Sequence, residues 1–130
     1  MTVRIVKLGS PRAPSEGTRI GTVRRPPRGV PKSEFATGDW YDVWYPNLAP
    51  SVETMKLGQA AATPEQWRAF EKQYRREMTT PEASRTIELL SVLSRQSHFS
   101  VGCYCEDETH CHRSILRHLL EQAGADVAPA

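Results

Sequence analysis

The stretch from Cys103 to Arg113 (CYCEDETHCHR) puts three thiols, two imidazoles, three carboxylates and a guanidinium into eleven residues. It holds every cysteine of a 130-residue chain. An odd, tightly grouped set of three is too few for a disulfide scaffold and reads as a site. Three chemistries are open to it. In the first, Cys111 and His112 form a catalytic thiol–imidazole pair, and Arg113 grips a phosphate or carboxylate at two points. In the second, the cluster binds metal: Cys103, Cys105, His110 and Cys111 are the candidate ligands, with His112 as the other available imidazole. Soft sulfur and imidazole donors of this kind suit zinc. In the third, Cys111 forms a disulfide with Cys103 or Cys105 under oxidation. Cys103 also continues the Phe99–Val101 alternation, so a plain role as a small buried hydrophobe competes with all three.

These residues need elements to position them. His98 to Cys103 alternates apolar residues and reads as a strand, and a helix follows from about Cys111 with Ile115, Leu116, Leu119 and Leu120 inward and Gly124 as its stop. A strand–loop–helix of this kind is where open α/β sheets bind ligands, because the helix N-terminus offers free N–H groups. Upstream, Val3–Leu8 and Thr18–Val23 read as strands, and Asp39–Tyr45 as a third extended segment ended by Pro46. Thr63-Pro64-Glu65-Gln66 opens a helix whose apolar face is Trp67, Phe70, Tyr74 and Met78. Thr80-Pro81-Glu82 opens another, with Ile87, Leu90 and Leu93. The expected fold is α/β: a single three-layer-type domain, residues 1–124, with a mostly parallel central sheet and helices packed on it. Residues 125–130 are expected to form a flexible tail.

The net charge of +2 conceals an asymmetry. Residues 1–32 carry eight basic side chains against Glu16 alone, whereas the rest of the chain has nine basic and fourteen acidic residues. Arg24, Arg25 and Arg28 flank Pro26-Pro27, a stiff unit that follows a strand and holds guanidiniums in fixed directions. Beside the Cys/His loop, this segment would complete a pocket for an anionic small ligand, with Arg24, Arg25, Arg28 and Arg113 as its contacts. A basic face together with the aromatics Trp40, Tyr41, Trp44 and Tyr45 also fits nucleic acid, with rings that stack bases. The same rings can equally be ordinary packing.

Several classes are set aside. No run approaches the roughly 18 apolar residues of a membrane helix, and the MTVRIVKL start lacks a signal-peptide block; a cytoplasmic protein without a membrane partner is expected. A Cys-x5-Arg phosphatase loop ending at Arg113 would need cysteine where Asp107 stands. No Walker loop, GxGxxG or HExxH occurs.

Pro27-Arg28-Gly29-Val30 with Lys32, Leu48-Ala49-Pro50-Ser51, the Phe70–Tyr74–Glu77 helix and Cys111-His112-Arg113 together resemble the domain of unknown function 488 (DUF488) family, which includes the YeaO-like proteins. The resemblance spans nearly the whole chain. It implies a small single-domain bacterial or archaeal α/β protein of the cytosol, with no established activity. The PRG and LAPS elements resemble the YeaO-like branch. The Cys-His-Arg ending resembles the other branch, in which Cys-x-Glu precedes it. Here Cys103-Tyr104-Cys105 fills that stretch and Glu106 is displaced by one, which moves weight from a carboxylate role to a thiol or metal one.

Overall fold

In the computed structural model, which describes residues 1–129, four strands form one all-parallel sheet in the order β1-β4-β2-β3. The strands are β1 (Val3–Lys7), β2 (Thr18–Gly21), β3 (Val43–Trp44) and β4 (Phe99–Cys103); the helices are α1 (Val52–Ala60), α2 (Pro64–Glu77), α3 (Pro81–Ser94) and α4 (His112–Gln122). β4 is last in sequence but central in the sheet. It pairs with β1 from Val3↔Phe99 to Lys7↔Cys103, and with β2 from Thr18↔Phe99 to Gly21↔Gly102. All five of its residues are buried, as expected for a parallel strand flanked on both sides.

The helix starts follow from side-chain capping. Thr63 and Gln66 form a reciprocal capping box ahead of α2, with Pro64 in the first turn; Thr80 accepts from the Ala83 N–H ahead of α3. Each motif satisfies amide groups that have no partner within the helix. Phe70 and Tyr74 of α2, Ile87 and Leu90 of α3, and Ile115, Leu116 and Leu120 of α4 close on Val3, Phe99 and Val101 of the sheet. This is the main core; Cys103, at the carboxyl end of β4, packs instead in a second cluster with Leu8, Val23, Tyr41 and Cys111. The expected single α/β domain with its parallel sheet is present.

Residues of opposite parity on the strands do something different. Arg19 of β2 is fully buried and donates from Nε and Nη2 to Glu16 (2.7 and 3.0 Å), and from Nη1 to the carbonyls of Ser10 (2.8 Å) and Asp39 (2.7 Å). Ser100 of β4 donates to the same Glu16 carboxylate at 2.6 Å. The pair is fully satisfied by hydrogen bonds, the condition under which a buried ion pair is tolerated.

Three elements depart from the sequence expectation. The extended segment at Asp39–Tyr45 narrows to a two-residue strand, because Asp39 has φ +61° and turns the chain. That turn aims the Asp39 carbonyl at Arg19, and Tyr41 then packs so close to β2 that a Cβ at Gly21 would lie 2.4 Å from its ring. α1 was not expected at all; Ser51 caps it through the Thr54 N–H, but of its residues only Thr54 is buried. The segment expected as a flexible tail is tied to the sheet edge: Val127 bridges Val3, Ala128 N–H donates to the Val3 carbonyl, and Arg117 donates to the Ala128 carbonyl. Ala130 lies outside the described residues. Among the described residues, no helix is long and apolar enough to cross a membrane.

Candidate functional site

A cleft of about 900 Å³ opens at the carboxyl ends of β1, β2 and β4, where parallel sheets bind ligands. Its rim includes Arg24, Arg25 and Arg28 from the loop after β2, and its floor is Cys103, Cys105, Cys111 and His112. Tyr104 ties rim to floor: its hydroxyl donates to the Arg25 carbonyl at 2.8 Å. Trp40 leans edge-on against Tyr104 with ring centres 6.0 Å apart. On the opposite wall α1 contributes Met55 and Lys56, and α2 contributes Trp67 and Phe70. The two α2 rings stack at 4.6 Å, with His110 5.3 Å from Trp67.

The charge of this surface is one-sided. Lys7, Arg24, Arg25, Arg28 and Lys56 line it, and no carboxylate does. Their availability differs. Arg24 spends its guanidinium on the Pro50 and Ala49 carbonyls, both at 3.1 Å, and so fixes the LAPS segment beside the rim. Lys7 is paired with Glu106. Arg25, Arg28 and Lys56 are exposed and, among the described residues, stand in no ion pair.

The floor is built from the ends of rigid elements. Cys103 closes β4, Cys111 is the N-cap of α4, and His112 is the first residue of that helix. The Cys103 and Cys105 sulfurs are 3.7 Å apart, and Cys111 Sγ is 3.8 Å from His112 Nδ1. The donor atoms of Cys103, Cys111 and His112 all lie within 4.8 Å of one another. His112 is buried, with Tyr74 edge-on at 5.4 Å and Nε2 2.8 Å from the Thr22 carbonyl. A carbonyl only accepts, so Nε2 carries the proton and Nδ1 turns its lone pair toward the sulfur.

The sulfurs share protons unequally. Hydrogen bonds to Cys105 and Cys111, with burial added, push the Cys103 thiol up. Cys105 is held down to about 3, first by its hydrogen bond with Cys103 and then by Cys111, which together outweigh its partial burial; attraction from Arg113 adds a smaller lowering. Cys111 is also lowered, chiefly by its hydrogen bond with Cys103, against the opposing effects of Cys105 and burial.

Placement of the expected residues is uneven. Cys103, Cys105, Cys111, His112, Arg24, Arg25 and Arg28 do share one cleft. Arg113 is buried behind the floor and is not among the lining residues; its Nη2 donates to the Cys105 carbonyl at 2.6 Å. His110, expected among the metal ligands, lies at the rim with its imidazole exposed and paired with Asp107 at 3.4 Å. His112 takes its place beside Cys103 and Cys111. Trp67, read in sequence as part of an apolar stripe, is half-buried and faces the cleft. Lys56 and Thr22 carried no sequence signal; the nearest clue was the Pro50-Ser51 start of α1. The four aromatics at 40–45 part company: Tyr41 is buried, Trp44 donates to the Val23 carbonyl, Tyr45 bonds Thr86, and of the four Trp40 alone lines the cleft.

The family model described as the active DUF488-N3 subclade matches residues 3–124. The chain belongs to the DUF488-N3 family. The match takes in both halves of the cleft of this DUF488-N3 protein, from Lys7 through the Arg24–Arg28 loop to the Cys111-His112-Arg113 helix start. Comparison with curated proteins and with solved structures finds no significant match.

Proposed function

We propose that the cleft binds an anionic small molecule of the nucleotide or phospho-metabolite class and presents it to the Cys111–His112 centre. The observation that carries this reading is the charge of the lining, five cations and no carboxylate around a pocket of small-molecule size. A concave, low-dielectric surface of one sign concentrates ligands of the other. Arg25, Arg28 and Lys56 supply the free charge for the anion, with Arg24 a fourth contact at the edge of the rim. Arg113 acts from behind by holding the Cys105 carbonyl. The walls formed by Trp40 and Trp67 suit a planar group attached to that anion. The far end of the ligand would meet the floor at Cys111 and His112.

Calorimetric titration with a panel of nucleoside phosphates and sugar phosphates tests it. At least one class binds the wild-type chain. Arg28→Ala and Lys56→Ala each weaken that binding about tenfold, roughly 1.4 kcal/mol, while Cys111→Ser leaves it largely intact. A panel that fails to bind, or a double Arg28→Ala/Lys56→Ala variant that binds like wild type, overturns the reading. Long nucleic acid binding tightly with a steep salt dependence, while mononucleotides do not bind, would transfer the cleft to a polymer.

A further inference from the structure

The geometry points to a Cys3His zinc site at the floor of the cleft, formed by Cys103, Cys105, Cys111 and the Nδ1 atom of His112. A tetrahedral zinc ion with zinc–sulfur bonds of about 2.3 Å and zinc–nitrogen bonds of about 2.0 Å requires neighbouring donors to stand roughly 3.5 to 3.8 Å apart. The Cys103–Cys105 sulfurs at 3.7 Å and the Cys111–His112 contact at 3.8 Å each meet that spacing, and Cys105, which stands outside the mutually close group of Cys103, Cys111 and His112, would complete the set by a shift of its exposed side chain. The remaining separations within the Cys103, Cys111 and His112 group do not exceed 4.8 Å.

Two features around the cluster support this independently of the spacing. The first is the orientation of His112. Metal-bound imidazoles characteristically donate their other N–H to a carbonyl or carboxylate, which fixes the tautomer and the ring plane. His112 does this with the Thr22 carbonyl at 2.8 Å, leaving Nδ1 as the free donor on the sulfur side. Thr22 is itself held, its hydroxyl donating to the Gly102 carbonyl of β4 at 3.0 Å. The second feature is Arg113. Three thiolates, a neutral imidazole and a divalent ion leave one net negative charge, which is costly to bury alone. Arg113 is buried beside the cluster with Nη2 on the Cys105 carbonyl, and its Nε has no hydrogen-bond partner. A single buried guanidinium there balances the charge of the filled site. His110, exposed and turned to Asp107, takes no part.

The inference shares only the cleft floor with the proposed function: a four-ligand set leaves zinc no open position, so the ion would order the floor on which the anion rests and take no bond from it. Its test needs no ligand. The purified, reduced full chain is analysed for metal content and titrated with cobalt(II) as a spectroscopic substitute for zinc. The expected result is one metal per chain and, with cobalt, the thiolate charge-transfer band and intense d–d absorption of a tetrahedral sulfur-rich site. Cys111→Ser and His112→Gln should lose stoichiometric binding. Cys105→Ser, at an exposed position that leaves the core intact, should bind at least tenfold more weakly in competition with a chromophoric chelator and lose part of the charge-transfer band. His110→Ala and the double Arg28→Ala/Lys56→Ala variant should bind like wild type. The second of these separates this inference from the proposed function, because that variant is expected to lose the anion and keep the metal. Metal-free folded protein with a weak, octahedral cobalt spectrum overturns the site. So would a Cys105→Ser spectrum and affinity unchanged from wild type, or loss of binding in His110→Ala.

Discussion

Two groups of arginines, both from the basic first quarter of the chain, end in opposite circumstances. Arg19 is fully buried and every branch of its guanidinium is engaged, by Glu16, Ser10 and Asp39. Arg12 sits near it, paired with Asp42 at 2.9 Å and Asp39 at 3.3 Å. Arg25 and Arg28, a few residues on, are exposed at the rim of the cleft and in no ion pair among the described residues. The first group is structure and the second is available to a ligand. A run of positive charge in a sequence therefore says little until its internal partners are known; what matters is the charge left over after the fold has used its share.

The contrast is sharpest in stability. Removing Arg19 strands the Glu16 carboxylate in the interior, so Arg19→Ala should cost about 3–5 kcal/mol, measured by chemical denaturation. Arg28→Ala should change the same midpoint by no more than about 0.5 kcal/mol. Equal effects would erase the distinction between the two groups.

The next effect is on acid stability. Burial raises the Glu16 carboxyl, but hydrogen bonds from Arg19, Ser100 and the Ala13 N–H outweigh it and bring it to about 2 from 4.5. A group depressed on folding stabilises the native state above its unfolded value and loses that contribution as pH falls through the folded one. The chain should therefore lose stability progressively between about pH 4.5 and pH 2, by about 3 kcal/mol from this residue. Denaturation midpoints across that window check it; Glu16→Gln, less stable at neutral pH, should show a flatter profile.

Ligand affinity comes third. Removing Lys56 should lower anion affinity about tenfold with little change in folding, because α1 keeps its Ser51 cap. The smallest effect is expected at Arg12, where a partly exposed pair contributes about 1 kcal/mol or less; Arg12→Ala should leave anion binding unchanged. A ligand-binding defect in Arg12→Ala would move the functional surface away from the cleft.

Much of the scaffold was legible where local chemistry and tertiary packing agree. Thr63 and Thr80 announced their helices through caps, β4 through alternation, and the loop between β4 and α4 through its concentration of cysteine and histidine. The rest depended on partners remote in sequence. Nothing local favours His112 over His110 as the imidazole of the cluster; the choice is made by Thr22, 90 residues away. Arg24 and Arg113 read as free charge, yet each is bonded to a backbone carbonyl. α1 stayed hidden because it buries Thr54 and leaves Leu57 exposed, so it shows no apolar stripe. Trp67 hid for the opposite reason: its place on an otherwise apolar helix face looked like core, and the cleft reaches that face.

The central claim is that the unpaired cations of the rim, and not the basic first quarter as a whole, select an anionic ligand. Calorimetry of the nucleoside phosphate that binds best, carried out in parallel on wild type, Arg28→Ala/Lys56→Ala and Arg12→Ala, tests this most directly. The account predicts wild-type affinity in Arg12→Ala and a loss of about a hundredfold in the double variant, roughly 2.7 kcal/mol. Equal losses in the two variants, or none in either, would contradict it.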